Sequence, residues 1–204
     1  KQSTIFALQK TNVKTFPVRD AIQIPIFAAL KLFKAINVSE IKNLKIYTYR
    51  HGFEKWVDQD ATWAPRTRET ADHSLPFCVA ATLLDGTLNS MSFENSRYLR
   101  KDVRKLISKT EIVFDDSFNE VAPETRSCRL EATLRTGERF TAEYVQTPDD
   151  VLRGPDVECV ETKFRTLTEG VIKKPQQDKI LNMLWNFENL ESIQSLISLT
   201  RARF

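Results

Sequence analysis

Four side chains are of types that could bind anions or move protons. His73 follows Asp72 and precedes Ser74 in the stretch Asp72-His73-Ser74-Leu75-Pro76, at the head of an apolar run. An imidazole in that place can give or take a proton near neutral pH. Its plain alternative is a histidine at a helix N-terminus, with Asp72 or Ser74 as the cap, that orients a loop. Arg19 can clamp a carboxylate but cannot serve as a base, because a guanidinium does not deprotonate near neutrality. Its own alternative is a surface arginine at the start of a helix. Lys14, read alone, is an ordinary solvated lysine, and His51 stands in Arg50-His51-Gly52-Phe53. Asp115-Asp116 and Asp149-Asp150 sit in turn-like polar settings and read as solvated turns, not as acid/base pairs. There is no glycine-rich phosphate loop, C-x-x-C, H-E-x-x-H or G-x-S-x-G, and no metal site is expected.

Composition narrows the classes. The chain has 204 residues, 41% hydrophobic and 28% charged, which describes a soluble globular protein. Thirty basic residues nearly balance twenty-seven acidic ones, which speaks against nucleic acid as a partner. One basic cluster, Arg97, Arg100, Lys101, Arg104, Lys105 and Lys109, reads as a solvated helix face; the sharper reading is an electropositive rim that attracts anions. Cys78, Cys128 and Cys159 have neither disulfide-framework nor zinc spacing, so a reducing intracellular compartment, cytoplasmic or mitochondrial, is expected. No apolar run is long enough to span a membrane and no signal peptide is visible. The chain begins at Lys1 and not Met, which reads as a fragment or a processed product.

The elements that must position these residues follow from periodicity. Residues 20–36 read as a helix capped by Asp20, with Ile22, Ile26, Phe27, Leu30 and Phe33 inward and Pro25 near its first turn. Residues 42–50 alternate as a strand, and 51–67 form a polar loop with Trp56 and Trp63. Residues 68–85 read as one buried helix ended by Gly86, and 98–108 as an amphipathic helix. Strands follow at 109–114, 126–134 and 139–146, the last two joined by a hairpin at Arg135-Thr136-Gly137-Glu138. Residues 147–157 read as a linker, and helices are expected at 158–172, 176–186 and 189–202. The fold class is α+β: a mostly antiparallel sheet with covering helices over 1–150, then a C-terminal helical segment over 151–204 whose apolar stripes suggest docking against something else.

The stretch Thr67–Gly86, TRETADHSLPFCVAATLLDG, closely resembles a segment of the MmgE/PrpD family, the group that contains 2-methylcitrate dehydratase and cis-aconitate decarboxylase. Lys14-Thr15-Phe16-Pro17 resembles the family's K-x-[YF]-P element, and the order of elements over roughly residues 10–200 follows the family. The resemblance implies that residues from about 13 to 150 are an α+β lid-type domain. The closing helices would then pack on a helical domain whose long N-terminal part has no counterpart in this sequence.

It also implies chemistry. Family members act on small di- and tricarboxylates without a cofactor, by dehydration, decarboxylation or isomerisation, at a site between the two domains. Lys14 corresponds to a family active-site lysine, which would be both catalytic and substrate-binding: its ammonium can hold a carboxylate and stabilise enolate-like charge. Arg19 would bind substrate and His73 would be catalytic. Two departures argue against the decarboxylase branch. Arg19 stands where that branch tends to have histidine, and His51 lies near its tyrosine, with Tyr49 two residues away. The reading is therefore part of a lyase or isomerase acting on a small polycarboxylate, incomplete in this chain, with a helical partner domain or chain and a homo-oligomeric complete form. The alternative is a non-catalytic binding or interaction module derived from the same family.

Overall fold

The structure, a computed structural model, describes residues 11–201. Residues 1–10, at the start of the first expected domain, and 202–204, which include the end of the last expected helix, lie outside it. Two compact units divide after Gly154. The first is α+β. It runs from a short 3-10 turn (Asp20–Ile22) into α1 (Gln23–Phe33), β1 (Ile41–Thr48), α2 (Asp60–Trp63), α3 (Arg68–Asp72), α4 (Leu75–Asp85), α5 (Lys101–Ile107), β2 (Thr110–Phe114), α6 (Asp116–Asn119), β3 (Arg126–Leu134), β4 (Arg139–Gln146) and α7 (Pro148–Arg153).

The sheet has the order β2-β1-β3-β4. The pairs β1/β3 and β3/β4 are antiparallel and β1/β2 is parallel, so the sheet is mostly antiparallel, with one crossover through the helices. Register places three rows on one face: Thr110-Leu44-Ala132-Phe140, Ile112-Ile46-Leu130-Ala142 and Phe114-Thr48-Cys128-Tyr144. Leu44, Ile46, Cys128, Leu130 and Ala132 are fully buried there. Burying apolar area at about 25 cal/mol per Å² is what holds this layer. The opposite face is polar: Lys45 pairs with Glu111 at 3.3 Å, and Arg129 lies over Tyr47 and reaches Asp115 at 2.9 Å.

Helix α1 lies across β3 and β4 and also packs on α4, which in turn packs on α5. That double contact is why α1 buries Gln23, Ile24, Pro25, Ile26, Ala28, Ala29 and Leu32, more of its surface than the single expected stripe. Gly86 ends α4 at φ 67°, and a Cβ there would come within 2.6 Å of the Phe33 ring. Both the left-handed backbone and the close approach require glycine.

Several expectations are corrected. Residues 68–85 form two helices, not one, with the break at His73-Ser74. The expected linker at 147–157 holds α7, whose start is closed by a capping box between Thr147 and Asp150. Asp20 does not cap α1; its carboxylate points elsewhere, as described below. Within the basic cluster, Arg97 pairs with Asp85 at 2.7 Å and Asp102 at 2.9 Å, Arg104 donates to the carbonyls of Trp63 and Pro65, and Lys109 donates to that of Ile41. Those three cations tie α4, α5 and their neighbours together, while Arg100, Lys101 and Lys105 remain exposed, as a solvated face requires.

The second unit holds α8 (Val157–Thr168), α9 (Lys174–Trp185) and α10 (Ile193–Leu199). Helix α9 packs on both others and buries Ile180 and Leu181, with Leu196 from α10. Leu167, Val171, Leu184, Trp185, Phe187, Ile193 and Ile197 remain 43–52% exposed. Among the described residues no helix is long and apolar enough to cross a membrane.

Among the described residues two buried side-chain atoms lack a hydrogen-bond partner, Gln146 Oε1 and Thr48 Oγ1. The Thr48 hydroxyl is fully buried between Phe114 and Cys128 in its row and has no hydrogen-bond partner. An unmade hydrogen bond of a buried hydroxyl costs about 1–3 kcal/mol. Thr48→Val keeps the shape and removes that cost, so urea unfolding should show stabilisation by about 1 kcal/mol; an unchanged or lower midpoint would contradict the assignment.

Candidate functional site

The segment that carries Lys14 and Arg19 is held by one buried amide. Gln23, in the first turn of α1, is 3% exposed. Its Oε1 accepts the N–H groups of Thr15 and Phe16, both at 2.9 Å. Its Nε2 donates to the carbonyls of Phe16 at 2.9 Å and Val18 at 3.4 Å. The Phe16 ring packs edge-on to Phe27 at 5.0 Å, and Phe27 stacks on Tyr144 of β4 at 4.5 Å. The backbone on both sides of Pro17 is thereby fixed to α1 and the sheet. Lys14 is exposed at the start of this segment and Arg19 is half-buried at its end.

The second support comes from the helix break. Pro76 sits at the second position of α4. A proline has no N–H and clashes with the carbonyl four residues back, so a helix cannot run through it from Asp72. Ser74 takes the N-cap instead: its hydroxyl accepts from the Phe77 N–H at 3.1 Å and donates to the Thr62 carbonyl at 2.5 Å. The Asp72 carbonyl, released from the helical ladder, accepts the Arg19 N–H at 3.2 Å. The two elements that carry the candidate residues are joined directly by that bond.

Beyond it the side chains diverge around Trp56. The Arg19 guanidinium lies 4.9 Å from the Trp56 ring centroid, a cation–π contact. Trp56 also lines a pocket of about 220 Å³ with Gln59, Ala61, Thr62, Glu69, Thr70 and His73. His73 is half-buried, and its Nδ1 lies 2.5 Å from Asp72 Oδ1 and 3.0 Å from the Glu69 carbonyl oxygen. With Nδ1–H donating to these oxygens, Nε2 is left as the other functional atom. Ligand atoms of Glu69, Asp72 and His73 fall within 4.8 Å of one another; of the two carboxylates, that of Asp72 orients the imidazole, and that of Glu69 stands 3.9 Å from it.

Arg19 also lines a second cleft of about 200 Å³, with Asp20, Ala21, Tyr49, His51, Gly52, Pro123 and Arg126. The Asp20 carboxylate accepts from Arg126 at 2.5 Å and from Asn12 at 2.9 Å, the use that replaces the expected helix cap. Burial pushes the Arg19 guanidinium down from its ordinary value, partly countered by Tyr49, but a guanidinium remains charged at neutral pH. Burial also pushes the Tyr49 phenol up to about 12, against the lowering effect of Arg126.

The structure therefore places Arg19 over Trp56 and His73 in a pocket that Trp56 lines, with Lys14 at the other end of the clamped segment. Gln23, Trp56 and Arg126 were not singled out as site residues from the sequence. Arg126 lies 106 positions from its partner Asp20, so no local spacing could have paired them. The only sequence signal for Gln23 was a polar residue inside an otherwise apolar helix.

The model of the MmgE/PrpD C-terminal domain matches residues 16–189. The chain belongs to the MmgE/PrpD family, in the C-terminal domain of that family. It is similar to the cis-aconitate decarboxylases of Homo sapiens, 27% identical over 141 residues, and of Mus musculus, 27% identical over 138 residues. Each match covers 67% of this chain and 28% of the relative, so the chain spans well under a third of the curated relatives it matches.

The raised Tyr49 phenol has a measurable consequence. In the folded chain it holds its proton to about pH 12, whereas the ordinary value is 10.0. Its contribution to stability is intact below pH 10 and is lost as pH rises through the folded value, because the unfolded chain ionises first. In an absorbance titration of phenolate, Tyr49 should ionise in a late phase that Tyr49→Phe removes; no phase lost in Tyr49→Phe above pH 10 would contradict the burial described.

Proposed function

We propose that this chain forms part of the site of a lyase or isomerase that acts on a small di- or tricarboxylate, with Lys14 and Arg19 holding carboxylates and His73 positioning or transferring a proton. The observation that carries the reading is the clamped segment Lys14–Arg19 bonded to the Asp72-His73 junction, in a chain of this family. Fixed cations beside a substrate carboxylate favour charge that builds up when a proton or a leaving group departs from the neighbouring carbon. An ammonium at Lys14 would stabilise that enolate-like charge, and the guanidinium at Arg19 would orient the anion without exchanging protons.

On this reading the 204 residues do not complete the site. Further acid/base groups come from a helical domain, against which the exposed Leu167, Leu184, Trp185 and Ile197 of the second unit would pack. The second reading, a binding module without turnover, is favoured by one feature: the Arg19 guanidinium is engaged on Trp56 and cannot act as a base.

The test measures both halves. Isothermal titration of residues 1–204 with tricarballylate should detect binding. Arg19→Met and Lys14→Met should each weaken it at least about tenfold, since a charge-assisted hydrogen bond contributes about 1.5–3 kcal/mol. The chain alone should turn over no polycarboxylate. Binding that survives both substitutions would overturn the site; turnover by the isolated chain would overturn its incompleteness. Binding without turnover, even after addition of the helical portion, would leave the module reading.

A further inference from the structure

The cleft between Arg19 and Arg126 has a composition that points beyond simple anion attraction. Its charged and titratable wall consists of Arg19, Asp20, Tyr49, His51 and Arg126. Asp20 is already ion-paired with Arg126 at 2.5 Å. The two guanidinium groups keep their charge throughout the neutral range, and burial keeps Tyr49 protonated up to about pH 12. Among these residue types, imidazole is the one that changes charge between pH 6 and pH 8.

The local fold places that imidazole on the wall. After β1 the chain turns sharply: the Phe53 N–H bonds the Arg50 carbonyl at 3.0 Å, and the Arg50 N–H is held by Asn119 Oδ1 at 2.6 Å. Gly52 takes φ +90°, and a Cβ there would already touch Ala21 Cβ at 3.5 Å, so the turn is pressed against the short 3-10 turn that follows Arg19. Tyr49 and Phe53 anchor both ends of the turn in the core, edge-to-face at 5.6 Å. His51, between them, is exposed to solvent and lines the cleft.

We propose that this cleft is a carboxylate subsite in which binding of the anion is coupled to protonation of His51, so that the neutral imidazole admits a carboxylate weakly and the imidazolium joins Arg19 as a second cation, Arg126 being held by Asp20. The proposal rests on the reading that this face of the chain takes a polycarboxylate. Linkage fixes the sign: a bound anion favours the charged imidazole, so affinity rises as pH falls through the histidine range.

Fumarate is a suitable probe, because it is a dicarboxylate that is fully ionised over the whole range. Titration calorimetry of residues 1–204 should show binding about three- to fivefold tighter at pH 6 than at pH 8, the size expected when the anion shifts the histidine by somewhat under one pKa unit. His51→Asn should abolish the pH dependence and leave the affinity near the weaker, pH 8 value. Imidazole resonances followed by NMR should show that of His51 responding to added fumarate in a pH-dependent way. Because His51 is exposed, His51→Asn should keep the melting temperature of the parent chain, which checks that the fold is intact. Binding that is independent of pH, or whose pH dependence survives His51→Asn, would overturn the coupling while leaving the anion-binding reading in place. No binding at either pH would overturn both.

Discussion

The arrangement of the first unit turns on a proline that prevents one helix from continuing into the next. With Pro76 in the first turn of α4, the Asp72 carbonyl has no helical donor, and it takes the Arg19 N–H instead. A backbone carbonyl shielded from water must find some donor, because leaving it unpaired costs as much as a lost hydrogen bond. The two segments with the chemistry-bearing residues, 14–19 and 69–73, are joined because α3 ends at Asp72. Gln23 completes the constraint from below with bonds to Thr15, Phe16 and Val18. The price is a buried amide that must keep all of its partners, since a half-satisfied polar group in the core is worse than none.

Everything else in that unit serves to make this junction rigid. The three rows of the sheet face give α1 a flat apolar floor, and α4 covers the side of α1 that the sheet does not. Arg97 fastens the end of α4 to the start of α5 through Asp85 and Asp102. Such a nearly buried arginine with two carboxylate partners gains from each charge-assisted bond what an exposed pair would lose to solvent. The candidate residues themselves sit on turns and short helices at the edge of this frame, where side chains can reach a ligand while their backbones remain fixed.

The parts of the fold governed by local rules were legible in the sequence. Strands β3 and β4 and their turn at Gly137 follow from alternation and from a residue that tolerates positive φ. The stop at Gly86 follows from residue type alone, whereas residue type allowed either Asp72 or Ser74 as the cap and the structure selects Ser74. The split of 68–85 was missed although its cause was visible: Pro76 was treated as part of an apolar stretch and not as a barrier four residues after Asp72. Helix α7 was missed because Pro148 and Gly154 look like a linker, when one opens a helix and the other closes it. For the site, the family motifs drew attention to Lys14, Arg19 and His73. The neighbours that shape their surroundings, Trp56 and Arg126, arrive through tertiary packing across long stretches of chain and leave no periodic trace.

The central claim is that Gln23 and the freed Asp72 carbonyl together fix the Lys14–Arg19 segment. Amide hydrogen exchange measured residue by residue tests it most directly. The account predicts that the amides of Thr15, Phe16 and Arg19 are protected as strongly as those of the first turn of α4, although they lie outside helix and strand. In Gln23→Leu, protection of Thr15 and Phe16 should collapse while β3 and β4 stay protected. Exchange of the three amides at unprotected rates in the parent chain, or protection that survives Gln23→Leu unchanged, would contradict it.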